Sequence, residues 1–306
     1  MFVRFQIVDA FTDTLFGGNP AGVVFIPEGE TFPDDETMRK TAAELRYSET
    51  AFVKRLEDDQ ETGRKVFHTR YFTPAAEVDL CGHATIGSSY ALLHDGIIES
   101  GERICFHTLA GPIDIEVGEG GVLMGMGDPA SYGMLSPNDS AKLYEVLGLA
   151  PRQAAGKAPD ALLPEMVSTG LIDIMTPVED EKELEQIEPD FKALSALSQR
   201  MEVVGAHAFT MNAEDGMIHA RNFAPLYDID EEAATGTSNG ALAFYLYKRG
   251  LVEADKVYTV VQGEKMGRPS KISFQVKVID GEPAVRVGGS AVTLAEGNIE
   301  LKGKSE

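Results

Sequence analysis

The chain has 306 residues, of which 43% are hydrophobic, 25% charged and 8% aromatic, a composition that excludes disordered, collagen-like and disulfide-stapled classes. Asp and Glu number 49 against 27 Lys and Arg, and the resulting formal charge of −22 repels phosphate backbones and anionic lipid, so neither nucleic acid nor membrane is an expected partner. Two cysteines, Cys81 and Cys105, make neither a disulfide framework nor a metal cluster, and no apolar run approaches the roughly 20 residues of a membrane span, so a reducing, cytoplasmic setting is expected.

In chain order, the charged start MFVRFQIVDAFTD reads as a strand over 2–8 rather than as a signal peptide. A glycine-rich turn, Gly17-Gly18-Asn19-Pro20-Ala21-Gly22, lacks the spacing and lysine of a nucleotide loop, and it leads into a strand at 22–26. An amphipathic helix with an acidic start follows from Asp34 to Arg46, then strands at 51–55 and at Lys65 to Thr73, the latter ended by Pro74. Cys81-Gly82-His83-Ala84-Thr85 opens a helix running to Gly96, and strands follow at 104–107 and 112–117. Gly118-Glu119-Gly120-Gly121 is the expected junction of two domains. Beyond it come a serine-capped helix from Ser136 to Leu147, a nearly all-acidic solvated helical face at Glu179 to Glu188, and strands at 203–211 and Met217 to Ala224. Thr235-Gly236-Thr237-Ser238-Asn239 opens a helix to Gly250, and strands at 257–262, 271–279 and 284–287 complete the chain.

The chain repeats itself. His68-Thr69-Arg70-Tyr71-Phe72-Thr73-Pro74 and His219-Ala220-Arg221-Asn222-Phe223-Ala224-Pro225 share the pattern H-x-R-x-F-x-P at an offset of 151. The helices that follow align at an offset of 154, which pairs Gly82 with Gly236 and His83 with Thr237. Both helices are apolar around most of their circumference, so each is expected to be enclosed by other structure. This predicts an α+β fold of two similar lobes, each a curved sheet around one buried helix. The expected lobes are 1–120 with 291–306, and 121–290.

Chemistry is expected at the two glycine-led helix starts, where unpaired backbone N–H groups and the helix dipole suit a carboxylate, although an ordinary helix cap has the same sequence. Glu49, in Ser48-Glu49-Thr50-Ala51-Phe52, sits beside apolar neighbours whose desolvation would raise its pKa; it also reads as a charged strand-end residue. His83 reads either as a proton carrier or as a capping or core histidine. Glu231 and Glu232 precede the second helix and could simply complement its dipole. The partner of Cys81 at offset 154 is Thr235, which cannot ionise in the needed range, and this disfavours a two-thiol racemase. Histidine spacing assigns no metal.

Taken together, Phe16-Gly17-Gly18-Asn19-Pro20-Ala21-Gly22, Ser48-Glu49-Thr50-Ala51-Phe52, Arg70-Tyr71-Phe72-Thr73-Pro74 with Glu77, Cys81-Gly82-His83-Ala84-Thr85, Glu231-Glu232-Ala233-Ala234-Thr235-Gly236-Thr237 and Arg286-Val287-Gly288-Gly289-Ser290-Ala291 resemble the phenazine-biosynthesis PhzF-like proteins. The resemblance is ordered and spans nearly the whole chain. It implies a diaminopimelate epimerase fold, a homodimer, and a cofactor-free isomerase acting on trans-2,3-dihydro-3-hydroxyanthranilate or a similar small carboxylate. By motif, the family's proton-moving glutamate falls on Glu49, its histidine on His83, its aspartate on Glu232 and its serine on Thr237. Gly82 and Gly236 would hold the substrate carboxylate, with Asn19 also placed against substrate. Three positions depart from the pattern: Glu232 for aspartate, Ala233 for proline and Thr237 for serine. The fold and the glutamate therefore transfer further than the substrate does. Two other functions fit the same residues: an epimerase or racemase using Cys81 with a non-thiol partner, and a carboxylate-binding protein without catalysis.

Overall fold

In the computed structural model, which describes residues 1–156 and 161–301, the first strand shows how burial follows sequence. Along β1 (Phe2–Ala10), exposed Phe2 and Arg4 alternate with buried Val3, and the strand is wholly buried from Gln6 on. The described chain divides into two units, Met1–Gly125 with the segment from Gly288 on, and Met126–Val287. The run Gly118–Gly121, expected at the junction, is a hairpin turn inside the first unit, and the division falls after Gly125. The last five residues of the expected 291–306 span lie outside the described residues. Among the described residues, no helix is long and apolar enough to cross a membrane.

The first unit continues through β2 (Asn19–Ile26), α1 (Asp35–Leu45), β3 (Thr50–Arg55), β4 (Lys65–Phe72), β5 (Glu77–Val78), α2 (Gly82–His94), β6 (Arg103–Thr108), β7 (Gly111–Gly118) and β8 (Gly121–Gly125). The second runs through β9 (Ala130–Met134), α3 (Pro137–Val146), β10 (Glu165–Ser168), β11 (Ile172–Pro177), α4 (Glu181–Glu185), α5 (Phe191–Met201), β12 (Ala206–Thr210), β13 (Ile218–Ala224), β14 (Ile229–Glu232), α6 (Gly236–Tyr247), β15 (Val257–Gln262) and β16 (Ser270–Ile279). Then β17 (Glu282–Gly289) returns the chain to the first unit, which β18 (Ala291–Glu300) completes.

Strand pairing has the same grammar in both units. In the first, β18, β1, β2, β3, β4, β6, β7 and β8 pair in that order, with only β2–β3 and β4–β6 parallel and with β5 added beside β4. In the second, β9, β10, β11, β12, β13, β15 and β16 pair in order, with only β11–β12 and β13–β15 parallel and with β14 beside β13. A helix covers each β4–β6 and β13–β15 crossover, as a parallel connection requires.

Those crossover helices are α2 and α6, the two cores. In α2, Ile86, Ala91 and Leu92 are buried and the helix packs on β1, β2, β3, β8 and β18. In α6 every residue from Ser238 to Leu246 is buried, against β10, β11 and β16. Close approach needs a small residue: a Cβ on Gly240 would stand 2.6 Å from the Thr169 hydroxyl oxygen. The outer helices differ from these. Asp34, Ser136 and Asp190 cap α1, α3 and α5 through side-chain hydrogen bonds, whereas α2 and α6 have no side-chain cap bond. The acidic stretch at 179–188 forms only the five-residue α4, which buries Leu184, with Ile187 buried just beyond it.

Candidate active site

The repeated H-x-R-x-F-x-P motif sets up each core helix. Arg70 grips Glu77 of β5 through Nε and Nη2 at 2.7 and 2.6 Å, and Arg221 grips Glu231 of β14 in the same way at 2.8 and 2.9 Å. Each guanidinium lies over the motif's own phenylalanine, 5.2 Å from the Phe72 ring centre and 5.0 Å from that of Phe223. The arginine thus ties the strand to the short segment that leads into the next helix, and Glu231 is committed to this structural pair.

In the first unit, Tyr71 on β4 meets the Thr85 hydroxyl at 2.6 Å, and Thr85 donates back to the Cys81 carbonyl at 2.8 Å. The first turn of α2 is thereby pinned to the sheet, and His83 is presented from it at 5% exposure. Around its imidazole stand Glu49 Oε2 at 3.1 Å from Nε2, Ser48 Oγ at 3.4 Å from Nε2 and Asn19 Nδ2 at 3.3 Å from Nδ1. Tertiary structure therefore brings together Asn19, Glu49 and His83, with Gly82 beside them in the chain. Ser48 is the addition that sequence reasoning did not single out, although it adjoins Glu49.

The electrostatics reverse one expectation. Burial does raise the Glu49 carboxyl, but the His83 imidazolium beside it outweighs that and holds the group at about 2, below its ordinary value. Burial alone would lower His83; the Cys81 sulfur and the Glu49 carboxylate raise it well above the usual histidine range. The two form an ion pair shielded from water. Oε2 meets the ring off the hydrogen-bond direction, and no other hydrogen-bond donor serves it.

Cys81 completes this cluster. Its Sγ lies 3.5 Å from Nδ1 and 3.8 Å from Nε2 of His83. Glu49, Cys81 and His83 offer three potential metal-ligand atoms within 4.8 Å of one another. Burial pushes the thiol up, which disfavours a thiolate base.

The second unit places Glu232, Thr235, Gly236 and Thr237 at the start of α6. Thr235 Oγ1 donates to Glu232 Oε2 at 2.7 Å, and the Thr237 carbonyl accepts from Thr169 at 3.1 Å. Two buried titratable groups here escaped the sequence. Asp173 on β11 accepts from Ser238 at 2.6 Å, and burial raises its carboxyl to about 6 despite that bond, with the Glu232 charge adding to the rise. His207 on β12 meets Asn222 at 3.0 Å, and burial lowers it to about 4. Their one signal in the sequence is a polar residue within an apolar strand.

Residues 8–297 match the family model described as phenazine biosynthesis-like protein. An uncharacterized isomerase of Deinococcus radiodurans is 36% identical over 304 residues, spanning 96% of this chain and 94% of the relative. The crystal structure of a Bacillus anthracis phenazine biosynthesis protein of the PhzF family is similar at TM-score 0.81 and 25% identity, covering 98% of this chain and 99% of that one. A hydroxyproline epimerase from Agrobacterium vitis shares the fold alone, at TM-score 0.58 and 15% identity over 97% of this chain and 91% of that one. The architecture is the diaminopimelate epimerase-like α+β class that the sequence resemblance implied.

Proposed function

This chain belongs to the phenazine biosynthesis-like protein family, and on that premise we propose that it is a cofactor-independent isomerase moving a proton on a small carboxylate-bearing substrate. The observation that carries the reading is the shielded Glu49–His83 pair at 3.1 Å. Glu49 waits as a carboxylate and accepts a proton from a substrate carbon as the C–H electron pair moves into the adjacent π system. His83 holds a second proton beside it, which steadies the carboxylate and can be relayed during return. The proton is then delivered to another substrate carbon, so no electrons are lost or gained. A substrate such as trans-2,3-dihydro-3-hydroxyanthranilate suits this chemistry because its ring spreads the charge that forms.

Gly82 with Asn19 in the first unit, and Gly236 with Thr237 in the second, are proposed as substrate-contacting positions, each at the start of a helix without a side-chain cap bond. Glu232 takes part as an acid/base or positioning group. A homodimer in the cytoplasm is part of the same proposal, and light scattering on the purified protein tests the assembly.

The decisive experiment is proton exchange. The protein is incubated in D₂O with dihydro-hydroxyanthranilate and a panel of small cyclic and amino carboxylates, and deuterium uptake is followed by NMR. Uptake that disappears in Glu49→Gln supports the assignment, and uptake that persists in it overturns the role of Glu49.

A further inference from the structure

We infer that Gln262 and Asn239 are positioning residues for this reaction: acting through the Thr235 hydroxyl, they fix the Glu232 carboxylate as a hydrogen-bond acceptor. The inference rests on Glu232 taking part in the proposed proton transfer. Gln262 closes β15 and Asn239 lies in the first turns of α6, and both are fully buried.

The directions of the bonds follow from the chemistry of the groups. Asn239 Nδ2 approaches Gln262 Oε1 at 2.8 Å and the Thr235 carbonyl at 2.9 Å, so its two hydrogens serve two acceptors. Gln262 Nε2 approaches the Glu232 carbonyl at 2.7 Å and Thr235 Oγ1 at 3.1 Å. Turning either amide over would set oxygen against oxygen at a carbonyl, so one orientation satisfies the set. The Thr235 oxygen, having accepted from Gln262, sends its own hydrogen to Glu232 Oε2 at 2.7 Å.

Two buried amides thus settle where one hydroxyl hydrogen points, and it points at a carboxylate. A strand and a helix that needed only to be joined would need one of these bonds, between backbone groups. Here, besides their bonds to the Thr235 and Glu232 carbonyls, the amides continue a chain of donors through three side chains that ends on the Glu232 carboxylate. Hydrogen bonds to a charged acceptor are the strong ones, and their direction holds the acceptor in place.

Two measurements test this. In ¹⁵N spectra of the protein in D₂O, the Gln262 side-chain amide should persist in wild type and exchange at least about tenfold faster in Thr235→Val, with Thr235→Ser close to wild type. Rapid exchange in wild type, or no change in Thr235→Val, overturns the network. Deuterium exchange into dihydro-hydroxyanthranilate, or into whichever panel carboxylate is turned over, supplies the functional readout. Thr235→Val and Gln262→Met should lower kcat about tenfold with KM within about twofold, and Thr235→Ser should restore most of the loss. A fall in melting temperature with kcat unchanged makes these residues structural only and sinks the inference. Glu232→Gln separates the two levels: wild-type turnover there fails the reading of Glu232 itself, whereas lost turnover there with unaltered Thr235→Val fails the positioning role alone.

Discussion

His83 Nε2 stands 3.1 Å from Glu49 Oε2, and each partner shifts the other toward its charged form against the opposing effect of burial, with the Cys81 sulfur also raising His83. The consequence for stability has a sign at each end of the pH scale. Glu49, held at about 2, contributes stability above the ordinary carboxylate value, and this is lost as pH falls from about 4.5 toward 2. His83, raised, contributes fully below its ordinary value of 6.5, and this is lost as pH rises past its folded value.

Glu49→Gln should therefore separate chemistry from stability. A positioned acid/base group supplies about 10² to 10⁴-fold in rate, and turnover should fall by that order while the protein stays folded at pH 7. Exchange kinetics and melting curves on the same preparation decide it, and a variant that exchanges at the wild-type rate refutes the role.

His83→Gln should move the acid limb of the pH profile. With the imidazolium gone, burial is the largest remaining influence on Glu49, so its carboxyl rises from about 2. The acid limb of kcat/KM should shift to higher pH than in wild type. An unmoved limb would mean that His83 does not govern this carboxyl.

Asp173→Asn should remove a pH-dependent strain in the second unit. Because the folded carboxyl titrates at about 6, above its ordinary 3.8, the folded state binds the extra proton and wild-type stability falls as pH rises through that interval. Ser238 and the Gly205 amide oppose the rise, while Glu232 adds to it. The melting temperature of Asp173→Asn minus that of wild type should grow from pH 4 to pH 6.5 and then level off. His207, lowered to about 4, has the opposite dependence and cancels in this difference.

Arg221→Met should cost more than loss of a surface ion pair. The Arg221 side chain is 8% exposed and also donates to the Leu184 and Ile187 carbonyls at 3.1 and 2.8 Å, so its removal takes these donors from the Glu231 carboxylate and from both carbonyls. Breaking one side of such a buried pair costs about 3–5 kcal/mol. Urea unfolding of Arg221→Met, Glu231→Gln and the double variant should show the double variant less damaged than the sum of the two. Strict additivity would mean that the pair is not coupled.

Much of the architecture was legible because its causes are local. Asp34 and Ser136 start helices by offering an oxygen to the next turn, and both cap as their positions predict. Apolar residues around the whole of Ala241–Leu246 require an enclosing sheet, and α6 has one. The elements that were missed, β5, β8, β9, β10, β11, α5, β14 and β18, are those whose short or mixed patterns depend on neighbours for their meaning.

The sequence by itself determined the two core helices, the repeated H-x-R-x-F-x-P strand before each of them and the family whose order of motifs this chain keeps, because periodicity, glycine and proline act within a few residues. Only tertiary structure decided the state of the groups in the site. Glu49 and His83 are 34 positions apart, and the direction of Glu49's shift depends on their being 3.1 Å apart in space. The same holds for Gln262, Thr235 and Glu232, whose hydrogen bonds exist because β15, α6 and β14 converge. Charge and hydrogen bonding act through distance, and distance between remote residues is set by the fold.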